Sequence, residues 1–74
     1  MDISYKKLWK LLIDRDMKKK DLEKAAGISN YVISKMVRNE NITVETVKKI
    51  CKALNCGILN VIELEHDEEA EISN

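Results

Sequence analysis

The 74 residues predict an all-α domain of five short helices, and three observations carry that reading. Proline is absent, glycine occurs only at Gly27 and Gly57, and apolar residues recur at helical rather than strand spacing. Lys, Leu, Ile and Glu are plentiful, a composition that suits helices joined by short turns.

Helix 1 is expected from Tyr5 to Asp14, with Ser4 as its N-cap. Leu8 and Leu12 should face the core and Lys6, Lys7 and Lys10 the solvent. Trp9 borders the apolar stripe as a partly buried packing residue, and Met17 plugs the connection that follows. Helix 2 should span Lys19 to Ala26, with Leu22 and either Ala25 or Ala26 inward and Asp21 favouring the helix dipole. Gly27 supplies a left-handed backbone that ends this helix without a Cβ clash. Ile28 packs inward, and Ser29 caps a third helix reaching Met36 or Val37, with Ile33 and Met36 buried.

Arg38-Asn39-Glu40-Asn41 reads as a polar loop anchored by Ile42. Thr43 caps helix 4, from Val44 to Asn55. Val44, Val47, Ile50, Cys51 and Leu54 lie on its inner side, and Glu45, Lys48, Lys49 and Lys52 on its wet side. Asn55 or Gly57 ends it. Ile58 to Leu64 is expected as helix 5, whose apolar residues are denser than one face of a small domain needs. No internal repeat and no strand signal is evident. Residues 1–64 are expected as the domain, and residues 65–74 as an acidic, flexible tail.

Such a length leaves no room for a two-layer catalytic fold with a deep cleft. No run of about 18 apolar residues implies a membrane span. The opening Met-Asp-Ile-Ser-Tyr-Lys-Lys leads into an amphipathic pattern rather than a signal peptide, so a cytoplasmic location is expected. Cys51 and Cys56 match no zinc spacing and are read as reduced thiols, Cys51 in the core and Cys56 near a turn. His66, the one histidine, is read as solvated. Neither a cofactor, a metal nor a small-molecule ligand is implied. Ser29, Ser34 and Cys51 have no positioned base, and no glycine loop cradles phosphate, so an enzyme is not expected.

Net charge is zero, yet the charges are segregated. Residues 1–55 carry 13 basic against 7 acidic side chains, a net of +6, and residues 56–74 carry six acids and no Lys or Arg. Screening limits charge effects to about 8 Å at physiological salt, so the basic body can attract phosphate despite the neutral sum.

The stretch from Lys19 to Met36, with Leu22, Ala26, Gly27, Ile28, Ile33 and Met36 in order, has the spacing of a helix-turn-helix. From about Ser4 to Leu64 the chain resembles the Cro/C1-type (XRE-like) helix-turn-helix family of phage and bacterial repressors. Its segment NITVETVKKICKALNCGILNVIEL is similar to the last two helices of small members of that family. The resemblance implies a lambda-repressor-like DNA-binding fold with the motif at helices 2 and 3. The chain departs from the family at Glu23, where a small residue is usual, and at Lys18 and Lys19, where a Ser or Thr cap and Gln are common. Glu23 must therefore lean outward or pair with Lys24 or Lys35.

In this geometry helix 3 enters the major groove of double-stranded DNA. Ser29, Asn30, Tyr31, Ser34 and Lys35 are the expected base contacts, Tyr31 being divided between DNA contact and covering an apolar edge. Lys18, Lys19, Arg38, Asn39 and Asn41 should contact phosphates. Lys6, Lys7, Lys10, Lys48, Lys49 and Lys52 read as a solubilising face. Family members generally act as dimers, which implies a homodimer, with Leu59, Val61, Ile62 and Leu64 as its interface. The rival reading is a protein-binding module on the same fold, antitoxin-like or an anti-repressor, with little DNA affinity.

Overall fold

The computed structural model describes residues 2–65. In chain order these form strand β1 (Asp2–Ser4), helices α1 (Lys6–Asp14), α2 (Lys19–Ala26), α3 (Asn30–Val37) and α4 (Val44–Leu54), one 3-10 turn (Ile58–Asn60) and strand β2 (Glu63–Glu65).

All four helices stop in the same way. Asp16, Gly27, Asn39 and Asn55 follow α1 to α4 with φ of 55°, 67°, 57° and 51°, the left-handed region. Glycine enters that region without cost, and Asn and Asp tolerate it better than other side chains. Behind each of them an amide reaches back across the helix end. Met17 donates to the Leu12 carbonyl (2.8 Å), Ile28 to Glu23 (3.1 Å), Glu40 to Lys35 (2.9 Å) and Cys56 to Cys51 (3.0 Å). This is the long hydrogen bond of the Schellman cap, which satisfies carbonyls the helix would otherwise leave open.

The helix starts use side chains instead. Asp21 Oδ2 accepts from the Lys18 amide at 2.8 Å, opening α2. Ser29 Oγ accepts from the Val32 amide at 3.3 Å, and Thr43 Oγ1 from the Thr46 amide at 3.2 Å. With both ends specified, helices of eight residues hold a fixed length although none would persist alone.

One core joins these pieces. Tyr5, Leu8 and Leu12 meet Leu22 and Ala26 of α2, Ile33 and Met36 of α3, Ile50 and Leu54 of α4, and Val61. Trp9, Met17, Ile28, Ile42 and Cys51 pack against it half-buried. Two polar ties cross the core edge. The buried Tyr5 hydroxyl donates to the Glu40 carbonyl at 2.6 Å, fastening the loop after α3 to the start of α1. Burial also pushes the Tyr5 phenol upward, which keeps it a donor. The Arg15 guanidinium donates to the Leu54 carbonyl, joining the end of α1 to the end of α4. Among the described residues no buried side-chain polar atom lacks a partner.

Several expectations need correction. The fifth helix is absent: Ile58–Asn60 makes a single 3-10 turn and Glu63–Glu65 pairs antiparallel with Asp2–Ser4. In that register Asp2 lies opposite Glu65, Ile3 opposite Leu64 and Ser4 opposite Glu63. The cause is alternation: Asp-Ile-Ser and Ile-Glu-Leu-Glu change polarity at every residue, a period of two rather than 3.6. Each segment alone is too short to read as a strand, and only the partner completes the signal. Ser4 therefore sits in β1 and accepts the Lys6 amide at 3.3 Å, while Tyr5 precedes the helix as its cap.

Val44, expected inward, is exposed because it is the first residue of α4 and overhangs the face formed by Val47, Ile50 and Leu54. Of the two alanines, Ala26 is buried and Ala25 exposed. Val61, expected at a dimer interface, is instead fully buried within the chain, whereas Leu59 and Leu64 are exposed. Beyond Glu65, the expected acidic tail and His66 lie outside the described residues.

An added Cβ at Gly27 meets no atom within 4 Å, so substitution there tests the backbone alone. Gly27→Ala should lower stability by about 1–2 kcal/mol. Replacing Asp16, Asn39 or Asn55 by Gly should raise it by about 0.5–1 kcal/mol. Urea unfolding followed by circular dichroism measures both.

Candidate nucleic-acid interface

Because Ile33 and Met36 face the core, the other side of α3 presents Asn30, Tyr31, Ser34 and Lys35. Asn30 and Tyr31 are exposed; Ser34 and Lys35 are half-buried. Tyr31 retains 69% exposure, so it stands out from the surface rather than closing over an apolar edge. Lys35 Nζ lies 5.8 Å from the centre of the Tyr31 ring, within range of a cation–π contact. Ser29 is exposed, but its hydroxyl is engaged as the α3 cap.

Asn30 is held from α2. Its Nδ2 donates to Glu23 Oε2 at 3.3 Å, so the partner of Glu23 is Asn30 and neither Lys24 nor Lys35. Sequence reading missed the pairing because the two residues are separated by the turn at Gly27. A carboxamide has two Nδ2 hydrogens and an acceptor oxygen. One hydrogen taken by Glu23 still leaves a donor and an acceptor, the pair needed for the N7 and N6 edge of adenine.

Cations flank this face. Lys18, Lys19 and Lys20 stand exposed at the start of α2, where the helix dipole is already positive. That crowding opposes helix stability, Asp21 offsets part of it, and an approaching anion would relieve it. Lys19 Nζ lies 4.8 Å over the ring of Trp9, so the half-buried indole serves as a platform as well as packing. Past the other end of α3, Arg38, Asn39 and Asn41 are all exposed.

Arg38 is not idle in the free protein. Its Nε donates to Glu40 Oε2 at 2.5 Å. The Arg38 hydrogen bond, aided by Arg38 and Lys35 charge and opposed by slight desolvation, holds the Glu40 carboxyl below its usual 4.5. Arg38 is raised in turn by the same bond. The remaining guanidinium N–H groups stay available for a phosphate.

A separate apolar groove of about 330 Å³ is lined by Lys7, Ile58, Leu59, Ile62, Glu63 and Leu64. Lys7 and Glu63 form an ion pair of 3.5 Å beside it. Among the described residues no group of three or more His, Cys, Asp or Glu could hold a metal ion, and no helix is long and apolar enough to cross a membrane.

Four short helices with a left-handed break between the second and third, and an open polar face on the third, define a helix-turn-helix domain. The chain matches the model of the Cro/C1-type helix-turn-helix DNA-binding domain over residues 7–67, and it belongs to that family. It is similar to the crystal structure of the transcriptional regulator VanUg, at 45% identity with a TM-score of 0.84. The match covers 89% of this chain and 88% of that one. Comparison with curated proteins finds no match.

A depressed carboxylate contributes stability that is present above its unfolded value and lost as pH falls through its folded one. The Arg38–Glu40 pair should therefore persist at neutral pH and open only below 4.5. Carbon-detected NMR titration should show Glu40 protonating below that value, and Arg38→Ala should return it to the ordinary range.

Proposed function

We propose that this protein is a small transcriptional regulator that binds double-stranded DNA sequence-specifically, acting as a repressor and as a homodimer. The observation that carries the reading is the open outer face of α3, with Asn30 and Tyr31 exposed and cations at both ends. An α-helix fits the major groove of B-DNA, and here the chain leaves one uncovered. The similar structure is that of a transcriptional regulator, which supports the same conclusion.

Asn30 pairs with adenine through its free donor and acceptor, and Lys35 donates to guanine O6 and N7. Ser29, Tyr31 and Ser34 complete the base-facing set. Lys18, Lys19, Arg38, Asn39 and Asn41 grip the phosphates on either side and fix the docking of α3. Bound phosphate would take the remaining Arg38 N–H groups and draw Lys19 toward the duplex while its stem stays beside Trp9.

One such module offers little area, so specific affinity calls for two half-sites about 34 Å apart. Leu59 and Leu64, exposed beside the apolar groove, with the half-buried Ile62, supply the surface for a second copy. Val61 supports that surface from within its own subunit rather than contacting the partner.

Selection from a random duplex pool should return an inverted repeat. Asn30→Ala with Lys35→Ala should remove about 1–3 kcal/mol of discrimination per lost base contact while leaving the salt slope close to that of the parent. Lys19→Ala should make that slope shallower by about 0.9, one phosphate's worth, at every sequence. Failure of the parent protein to bind any duplex at low ionic strength would overturn DNA binding and favour a protein-binding role.

Sedimentation equilibrium should show a dimer that Leu59→Glu with Leu64→Glu converts to a folded monomer. A parent protein that stays monomeric at high micromolar concentration would refute the dimer.

A further inference from the structure

A Schellman cap does more than close a helix: it sets the side chain three residues before the end against the one just past the turn. The protein displays this at two of its other helix ends. At α1 the pair is Leu12, in the core, and Met17, half-buried against it. At α3 it is Lys35 and Glu40, near enough for the lysine charge to act on the carboxyl.

At α4 the two places are filled by Cys51 and Cys56. Both bonds of the motif are present there, Cys56 N–H to the Cys51 carbonyl at 3.0 Å and Asn55 N–H to Lys52 at 3.4 Å. Both thiols are free and half-buried, and both pack against the same core. Burial pushes the Cys56 thiol upward and Cys51 adds to the rise, while the nearby Arg15 guanidinium opposes it. Arg15 is itself held in place by the Leu54 carbonyl.

We propose that Cys51 and Cys56 form a redox site that closes to an intramolecular disulfide by exchange with a small disulfide such as oxidised glutathione. One cysteine, as its thiolate, attacks a sulfur of RSSR, making a mixed disulfide and expelling RS⁻. The other loses its proton to water, attacks the protein-bound sulfur and expels the second RS⁻. The protein gives up two electrons and two protons, and RSSR becomes two RSH. Because the cap already fixes both backbone positions, closure asks mainly for rotation about the side-chain bonds. The bond would staple the end of α4 to the turn from which Gly57 leads into Ile58 and Leu59.

The test incubates the reduced full chain with graded ratios of oxidised to reduced glutathione, quenches in acid and reads intact mass. The expected product is two hydrogen masses lighter than the reduced chain and forms at a rate independent of protein concentration. Cys51→Ala and Cys56→Ala should instead stop at a single glutathione adduct. The closed form should melt about 5–10 °C above the reduced one. A parent chain that accumulates only glutathione adducts or linked dimers overturns the proposal. So does a closed form that melts lower, since the cap would then have to break for the bond to form. Neither readout involves DNA, so the outcome is independent of the proposed regulator role.

Discussion

The architecture rests on where the helices are made to stop. Eight or nine residues are too few to sustain a helix in water, and each segment persists only through packing and through specified ends. The left-handed residues Asp16, Gly27, Asn39 and Asn55 turn the chain at each end while long hydrogen bonds close the open carbonyls. Of the four, Gly27 has most to do with the site. It lets Leu22 and Ala26 on one side and Ile33 and Met36 on the other share a core, which obliges the opposite face of α3 to look outward.

The polar side chains near that face are held before any ligand arrives. Glu23 steadies Asn30, Trp9 carries Lys19, Tyr31 lies beside Lys35 and Glu40 engages Arg38. Each contact is solvent-accessible and individually weak, so an incoming group can displace it at small cost. Their common effect is to narrow the arrangements each long side chain samples, lowering the ordering entropy that binding must otherwise supply. Tyr5 extends this order inward: its hydroxyl fixes the Glu40 carbonyl, and so the loop that carries Arg38's partner.

Most of the helical frame was legible because its signals are local. Gly27, Ser29 and Thr43 each mark a boundary by their own chemistry, and α2 runs over the residues their spacing predicts. Helical period likewise located Leu8, Leu12, Leu22, Ile33, Met36, Val47, Ile50 and Leu54. What escaped was non-local. Strands of three residues carry no usable pattern alone, and the apolar density of Ile58–Leu64 resembles a helix until its partner at the N-terminus is known. Asp16 gave little warning as a cap, since an aspartate is also an ordinary surface residue. The placement of candidate contacts followed from the helix face, whereas the Glu23–Asn30 bond depends on how two helices cross.

The small β pair also governs the geography of the chain. Asp2 lies directly across from Glu65, so the first and last residues that the structure describes are neighbours at one edge. A short linker could join them into a ring, and new ends could then be opened at an exposed loop without cutting any helix. Cargo joined directly at either of these two residues would likewise emerge from a common point of anchorage.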